Sequence, residues 1–241
     1  MIESFGLSDT GCVRVNNEDS YLTAPELGLY VLADGMGGAR AGEKASQLAV
    51  LTVAETVRLA GRRDSQVLLE AVQQANQQVL AMAMSDRRLE GMGTTLVAVL
   101  DLGEELLVAS VGDSRAYLLE AESFRPVTED QSWVNEVGRA MGLDEETLRT
   151  HPLRHVLTMA IGGGMPLVVN CYTHPWKPGS LLLLSSDGLH GQVEEETICS
   201  ILASAASGTS GLEQPAALLI GAARDRGAPD NVSCILLRYI A

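Results

Sequence analysis

Positive charge is scarce in this sequence. Its 241 residues include 17 lysines and arginines against 31 aspartates and glutamates, so the formal net charge is -14. A chain of this sign is repelled by nucleic acid and by anionic membrane surfaces, and we expect neither as a partner. The same field would repel a phosphorylated substrate, which would therefore need local positive charge from metal ions and well-placed arginines.

Long hydrophobic runs and paired cysteines are also missing. The apolar stretches fall far below the roughly 20 residues that cross a bilayer, and Met1-Ile2-Glu3 begins no signal peptide. The four cysteines are widely spaced and include no Cys-x-x-Cys pair, so reduced and mostly buried thiols are expected. These features predict a soluble, cytoplasmic protein.

No linker rich in proline, serine or charge divides the chain, and no internal repeat is present. With 46% hydrophobic residues, we expect one domain over residues 1–241. Helical patterns cover residues 42–59, 65–84, 194–206 and 214–226. Strands are predicted at residues 2–10, 20–34, 94–100, 105–111, 115–120, 124–127, 167–174, 180–185 and 232–239. Because strands and helices come in blocks, the pattern favours an α+β layered fold of largely antiparallel sheets covered by helices.

Four aspartates lie where a hydrophobic run meets a turn: Asp34, Asp113, Asp187 and Asp230. Such carboxylates project from strand ends, where a packed sheet can hold them still. Brought together without a counter-charge, they would repel one another and lose hydration. Hard divalent ions such as Mg²⁺ or Mn²⁺ take oxygen ligands and relieve both costs. Metal binding is therefore the first hypothesis.

The stretch Asp34-Gly35-Met36-Gly37-Gly38 is the most informative. Glycine after the aspartate permits a sharp turn and leaves the Gly35 carbonyl free to be a second oxygen ligand. Alone, this stretch could equally be an ordinary glycine-rich turn between a strand and a helix. Asp187-Gly188 and Pro229-Asp230 are likewise common turns when taken singly. Together, three strand-end acids could share two metals about 3.5 to 4 Å apart, which is the spacing that activates a bridging water.

Arg14 supplies the positive charge that a phosphate would need. An arginine fork matches two phosphate oxygens in a way that lysine cannot. Glu18 and Asp19, a few residues on, could hold metal-bound waters or fix the guanidinium. In isolation the stretch could also be a solvated polar loop.

Taken in order, these motifs resemble the metal-dependent protein phosphatases of type 2C, in their bacterial branch. The motifs are Arg14 with Asn17-Glu18-Asp19, Ala33-Asp34-Gly35-Met36-Gly37-Gly38, Gly42-Glu43, Gly93-Thr94-Thr95, Val111-Gly112-Asp113-Ser114-Arg115, Ser186-Asp187-Gly188 and Asp230-Asn231. The similarity runs from about residue 4 to 239. It implies a four-layer α-β-β-α sandwich, a two-metal centre between its sheets, and hydrolysis of phosphoserine and phosphothreonine in proteins.

The resemblance also implies roles for single residues. Asp34 looks like the ligand that bridges two Mn²⁺ or Mg²⁺ ions, and Gly35 gives its carbonyl. Asp187 and Asp230 complete the first ion, while Arg14 takes the phosphate. Asp113 is similar to the ligand of a weaker third ion, shared with Asp187, and Asn231 joins Glu18 and Asp19 in supporting the ligands. Residues 130–164 look like the flap that overhangs the site in bacterial members.

Partners follow from the same resemblance: phosphorylated serine/threonine proteins as substrates, and a serine/threonine kinase with the opposite activity. We expect a monomer.

The chain departs from the family at two positions. Members often carry a histidine, proposed as the general acid, where this chain has Ala39, and an Asp-His pair where it has Asp130-Gln131. Protonation of the leaving group is thus open between a metal-bound water at the Asp113 site and a flap histidine such as His155.

Two other classes of function compete with this interpretation. A catalytically silent phosphoprotein-binding module on the same fold would be expected to have lost metal acids, yet the principal ones are present. Another two-metal hydrolase, such as a nuclease or a small-molecule phosphatase, would use the same acids, although the acidic surface argues against nucleic acid. No serine or cysteine lies in a recognisable nucleophile constellation with histidine, so no covalent intermediate is expected.

Overall fold

The chain folds into two antiparallel sheets, each covered on its outer face by a pair of helices. The computed structural model describes residues 2–37, 41–121, 123–164, 166–206 and 211–240. Sheet I has the strand order β1-β11-β10-β7-β8, and sheet II has the order β2-β3-β5-β6-β9, with β4 paired to β3. The strands are β1 Ile2–Asp9, β2 Asp19–Ala24, β3 Leu29–Met36, β4 Gly93–Thr94, β5 Leu96–Asp101, β6 Glu105–Val111, β7 Arg115–Glu120, β8 Ser123–Pro126, β9 Asn170–Pro175, β10 Leu181–Ser185 and β11 Val232–Tyr239.

The outer layers consist of α1 Ala41–Ala60, α2 Ser65–Ser85, α5 Glu195–Ala206 and α6 Glu213–Asp225. Two shorter helices are α3 Glu145–Thr150 and α4 Asp187–His190. In α1, Ala45, Ala49 and Val53 recur every four residues and are fully buried against sheet II. Asp64 caps α2 by accepting a hydrogen bond from the Val67 N–H, 2.9 Å away. No helix within the described ranges is long and apolar enough to cross a bilayer.

Three apolar layers hold the sandwich together. The middle one lies between the sheets and combines Tyr30 and Val97 of sheet II with Leu118, Leu182 and Ile235 of sheet I. The outer two pack α1 and α2 on sheet II and pack α5 and α6 on sheet I. Strands of both sheets show nearly continuous burial because each inner strand packs on both faces. The predicted α+β sandwich is confirmed.

Local differences from expectation concern loops and thiols. The stretch predicted as strand at 20–34 is divided by a 3-10 turn at Pro25–Leu27, which ends at Gly28 with a φ of 60°. The strand predicted from residue 167 begins at Asn170. All four cysteines are free, but Cys12 and Cys171 are exposed, so the expectation of mostly buried thiols was wrong. Cys12 lies in a loop, and Cys171 lies on the solvent-facing side of β9, where buried and exposed residues alternate. The spacing of cysteines in a sequence does not indicate such exposure.

Candidate metal centre

One large cleft, about 1140 Å³ in volume, lies at one end of the two sheets. The four strand-end aspartates all line it. Asp34 lies in β3, Asp113 in the β6–β7 turn, Asp187 at the start of α4, and Asp230 just before β11. Arg14 and Glu18 line it as well. Residues predicted separately from the sequence thus meet at a single site.

The glycines after two of these aspartates allow the strand ends to approach one another. A Cβ on Gly35 would collide with the backbone of Gly42 and Glu18, and a Cβ on Gly188 would collide with the backbone carbonyl of Asn231. Any larger residue would therefore push the turns apart. The Asp-Gly pairs are required by close backbone contact rather than by a left-handed conformation.

The Gly93-Thr94-Thr95 motif fixes the backbone of Asp34. The Asp34 N–H donates to Thr95 Oγ1 (3.0 Å), and the Asp34 carbonyl accepts from Thr94 Oγ1 (2.8 Å) and from the Thr95 N–H (2.9 Å). Thr95 Oγ1 also lies 2.7 Å from the hydroxyl of Ser114, the residue after Asp113. Two of the acidic turns are thereby tied together through one threonine.

Asp19 lies deeper in the site than the sequence indicated. It pairs in register with Asp34 across β2 and β3. Its Oδ2 accepts hydrogen bonds from Ser186 Oγ (2.9 Å), between β10 and α4, and from Ser233 Oγ (2.6 Å), in β11 of sheet I. Its Oδ1 is buried and has no hydrogen-bond partner among the described residues. A buried, unpaired carboxylate oxygen of this kind is well suited to a cation or a cation-bound water.

The electrostatics of the cleft disfavour ionised acids. Burial, and then the charges of Asp19, Asp187 and the other nearby acids, raise the pKa of Asp34 well above its usual range. Burial also raises the pKa of Asp113 to about 7, of Asp19 to about 6, and of Asp187 above its usual range. These four carboxylates therefore repel one another in a buried region, and a divalent cation would relieve that repulsion.

Arg14 forms an ion pair with one of the acids of the cleft. Its Nη2 donates to Asp230 Oδ2 at 2.6 Å, and about half of its side chain stays exposed. That hydrogen bond raises the pKa of Arg14. Arg14 therefore faces the cleft with most of its guanidinium free to meet an incoming anion.

Asn231 acts as an anchor for the loop that carries Arg14. Its Nδ2 donates to the carbonyls of Thr10 and Asn16, both at 2.9 Å, and its Oδ1 accepts from the Glu18 N–H at 2.8 Å. The side chain of Glu18 reaches the cleft, where burial raises its pKa. The predicted supporting residues thus all lie at the site, and Asn231 organises the loop rather than the acids.

The donor set fits a hard divalent cation, since the acids provide oxygen ligands and one buried oxygen lacks a partner. Within the described ranges, however, no three His, Cys, Asp or Glu side chains converge closely enough to hold an ion as they stand. One of these acids, Asp230, instead forms an ion pair with Arg14.

The histidines have different surroundings. His155 and His190 both line the cleft. His190 Nδ1 lies 2.9 Å from Ser185 Oγ, and burial lowers the pKa of His190 well below its usual range. His151 stacks on Trp133 with 4.2 Å between ring centroids. Ala39 lies outside the described residues.

Four residues that shape the site had no role predicted from the sequence: Ser186, Ser233, Arg115 and Asp130. Ser186 and Ser233 hold Asp19, while Arg115 forms a bidentate ion pair with Asp130. Ser186 and Arg115 lie within two positions of the predicted ligands Asp187 and Asp113, so the sequence already places them near the site. Their hydrogen-bond partners could not be predicted, because those contacts join segments that are distant in the sequence.

Comparison with known proteins assigns the chain to a family. A sequence model of the family Protein phosphatase 2C matches residues 14–218. The serine/threonine phosphatase stp of Listeria welshimeri is 34% identical over 238 residues, which cover 95% of this chain and 93% of that protein. The chain therefore belongs to the protein phosphatase 2C family, as its motifs predicted.

Solved structures agree with the fold. The crystal structure of the Mycobacterium tuberculosis serine/threonine phosphatase PstP/Ppp has a TM-score of 0.90 at 34% identity, and the match covers 100% of this chain and 99% of that chain. The catalytic domain of the serine/threonine protein phosphatase PstP, crystallised with two manganese ions, has a TM-score of 0.87 at 32% identity, with the same two coverages.

Proposed function

We propose that this protein is a metal-dependent protein phosphatase that hydrolyses phosphoserine and phosphothreonine in proteins. The single observation that carries this proposal is the convergence of Asp34, Asp113, Asp187, Asp230 and Arg14 on one cleft. Acids with raised pKa values supply sites for cations, and the arginine supplies a site for phosphate. Family membership and the two-manganese relative support the same conclusion.

Asp34, the Gly35 carbonyl, Asp187 and Asp230 would hold two Mn²⁺ or Mg²⁺ ions, and Asp113 with Asp187 would hold a weaker third. When bound, the ions supply an activated water and neutralise the charge of the phosphate. Glu18 and Asp19 would hold waters of that centre, in keeping with the unpaired Oδ1 of Asp19.

The remaining steps belong to side chains of the chain itself. Arg14 binds two phosphate oxygens and orients the phosphorus for in-line attack. Its present partner, Asp230, is also a proposed ligand, so phosphate and metal together would replace this ion pair. His155 lines the cleft from the flap and would give a proton to the leaving alkoxide. Asp113 would hold a water, through its cation, that is the alternative proton source.

The substrate proposal separates this function from its rivals. Purified protein with Mn²⁺ should hydrolyse a phosphothreonine peptide and p-nitrophenyl phosphate, because both present an accessible phosphate monoester. It should leave DNA intact, since its charge of -14 repels a polyanion. Turnover of a sugar phosphate ahead of the peptide would favour a small-molecule phosphatase, and binding of the phosphopeptide without turnover would favour a silent binding module.

Replacing Arg14 by alanine separates phosphate binding from metal binding. Loss of the guanidinium should raise the KM for a phosphothreonine peptide by roughly 10-fold or more, because a charge-assisted contact to phosphate is lost. Mn²⁺ should bind at least as well as in the wild type, since Asp230 loses a competing partner. Steady-state kinetics and metal titration check this. Arg224→Ala, which breaks an ion pair with Asp9 outside the cleft-lining set, is the matched control.

The cellular setting follows from this function. Phosphorylated serine/threonine proteins are the proposed substrates, and a serine/threonine kinase would act in opposition. We further propose a monomer that works in the cytoplasm as one domain over residues 1–241, with residues 130–164 as a flap. Those residues contribute Asp130, Arg154, His155 and Met159 to the lining of the cleft.

A further inference from the structure

Gln131 lies at the start of the flap (residues 130–164) and is buried, with 3% of its surface exposed. Its Oε1 accepts from the Gly112 N–H and its Nε2 donates to the Val168 carbonyl, each at 3.0 Å. Its backbone N–H donates to the Gly112 carbonyl (2.9 Å), and its carbonyl accepts from the Thr158 N–H (3.0 Å). One residue thus joins the turn before Asp113, the interior of the flap, and the segment that follows it.

The two amide atoms of Gln131 cannot exchange places. The N–H of Gly112 needs an acceptor, and the carbonyl of Val168 needs a donor, so only one orientation satisfies both. An apolar side chain of similar size would leave the Gly112 N–H buried without that partner, which is costly.

A bidentate ion pair joins the same two segments. Arg115 Nε and Nη2 donate to Asp130 Oδ1 and Oδ2 at 2.8 and 2.7 Å. Burial lowers the pKa of Arg115, but the hydrogen bonds to Asp130 and its charge have the larger effect, so the pKa of Arg115 is raised overall. Arg115 follows Asp113 by two residues, and Asp130 directly precedes Gln131. The base of the flap is therefore attached to the chain on both sides of Asp113.

The turn at Gly112 determines where Asp113 points. Gly112 has a φ of 90°, a left-handed conformation that favours glycine, and its Cβ position is blocked by Thr95. Both the N–H and the carbonyl of Gly112 are bonded to Gln131. Since that carbonyl belongs to the peptide group that leads into Asp113, Gln131 sets the orientation of this peptide.

We propose that Gln131 is a positioning residue that couples the flap to Asp113, so that the geometry of the flap and the affinity of the Asp113 cation site change together. The coupling to a cation rests on the proposed function. The coupling of the two segments rests on the hydrogen bonds alone.

The main test compares Gln131→Leu with the wild-type protein. Hydrogen exchange should rise about 10-fold or more in peptides covering residues 106–114 and 131–160, because both ends of the contact are released. The Mn²⁺ concentration for half-maximal turnover should rise by roughly 10-fold, the usual result of losing a residue that orients a ligand. KM for a phosphothreonine peptide should rise more than KM for p-nitrophenyl phosphate, which makes little contact with a flap. Gln131→His, which keeps one donor and one acceptor, should restore most of each property.

Asn76→Leu is the matched control. Asn76 of α2 is 9% exposed, and its Oδ1 accepts from the Gly162 N–H at 2.8 Å, so it also ties the flap to the body of the protein through one buried amide. This variant should lose a similar amount of stability and should leave the Mn²⁺ dependence and exchange at residues 106–114 unchanged.

The proposal is overturned if Gln131→Leu and Asn76→Leu change the Mn²⁺ dependence equally, or if residues 106–114 stay protected in Gln131→Leu. Should Gln131→Leu not fold, Gln131→Glu decides the question. When ionised, it keeps an oxygen toward Gly112 but loses the donor to Val168. Exchange should therefore rise at residues 166–170, while residues 106–114 stay protected and the Mn²⁺ dependence stays close to that of the wild type; the opposite pattern would overturn the proposal. If the wild-type protein has no phosphatase activity, the proposed function is wrong. The hydrogen-exchange measurements would still test whether Gln131 couples the flap to the turn before Asp113.

Discussion

Asp34→Asn is expected to lower kcat on a phosphothreonine peptide by at least about 10³-fold, because the proposed bridging carboxylate no longer holds the ions that activate water. The variant should nevertheless fold. Burial and neighbouring acids raise the pKa of Asp34, so its ionised form costs stability at neutral pH, and asparagine removes that cost. The metal-free variant should therefore unfold at a higher temperature than the metal-free wild type.

Asp101→Asn provides the control for this variant. Asp101 also ends a strand of sheet II, but it lies at the end of the sheet opposite to Asp34, and its side chain accepts a hydrogen bond from the Gly103 N–H. Its replacement should leave kcat unchanged. An Asp34→Asn protein that retains more than a tenth of wild-type turnover would contradict the bridging role.

Removal of metal should have the second largest effect. A chelator should abolish turnover of the phosphopeptide, and Mn²⁺ or Mg²⁺ should restore it, because the acids and Arg14 alone provide no activated water. Full activity in protein verified to be metal-free would rule out the two-metal mechanism.

The same experiment has a pH dependence that follows from the raised pKa values. In the folded protein the pKa of Asp113 rises from 3.8 to about 7, and the pKa of Asp19 rises from 3.8 to about 6. A group whose pKa is higher in the folded than in the unfolded protein stabilises the fold at a pH below its unfolded-state pKa. This stabilisation is lost as the pH rises through the folded-state pKa. Metal-free protein should therefore become less stable between about pH 4 and pH 7, and Mn²⁺ should raise the melting temperature more at pH 7.5 than at pH 5.5. Equal stabilisation at both pH values would contradict this.

The fold was accessible from the sequence because its elements are locally consistent. The helical repeats of 42–59 and 65–84 appear as α1 and α2 within a few residues, and the closing strand 232–239 is reproduced as β11. The buried strands have Gly, Asp or Asn near at least one end, and these residues favour turns, so they mark the strand ends in the sequence itself. Errors occurred where solvent exposure decides the outcome, as for Cys12 and Cys171.

The candidate site was accessible for a different reason. Asp34, Asp187 and Asp230 stand next to glycine, proline or asparagine at strand ends, and that local signal is visible without any tertiary contact. Their roles as ligands stay predictions. The depth of Asp19 was not visible, because a carboxylate in a polar stretch reads as solvated until the opposite sheet covers it with Ser186 and Ser233.

By itself, the sequence determined the classes of structure and chemistry: hydrophobic periodicity set the strands and helices, and strand-end acids with Arg14 set the expectation of a metal centre for phosphate. Tertiary structure alone decided which groups meet. Two serines, one just after β10 and one in β11, hold Asp19 of β2. Arg14 pairs with Asp230, and Gln131 reaches both Gly112 and Val168. Periodicity and turn signals act over a few residues, whereas these contacts join segments up to 216 positions apart, whose proximity arises only when the two sheets pack.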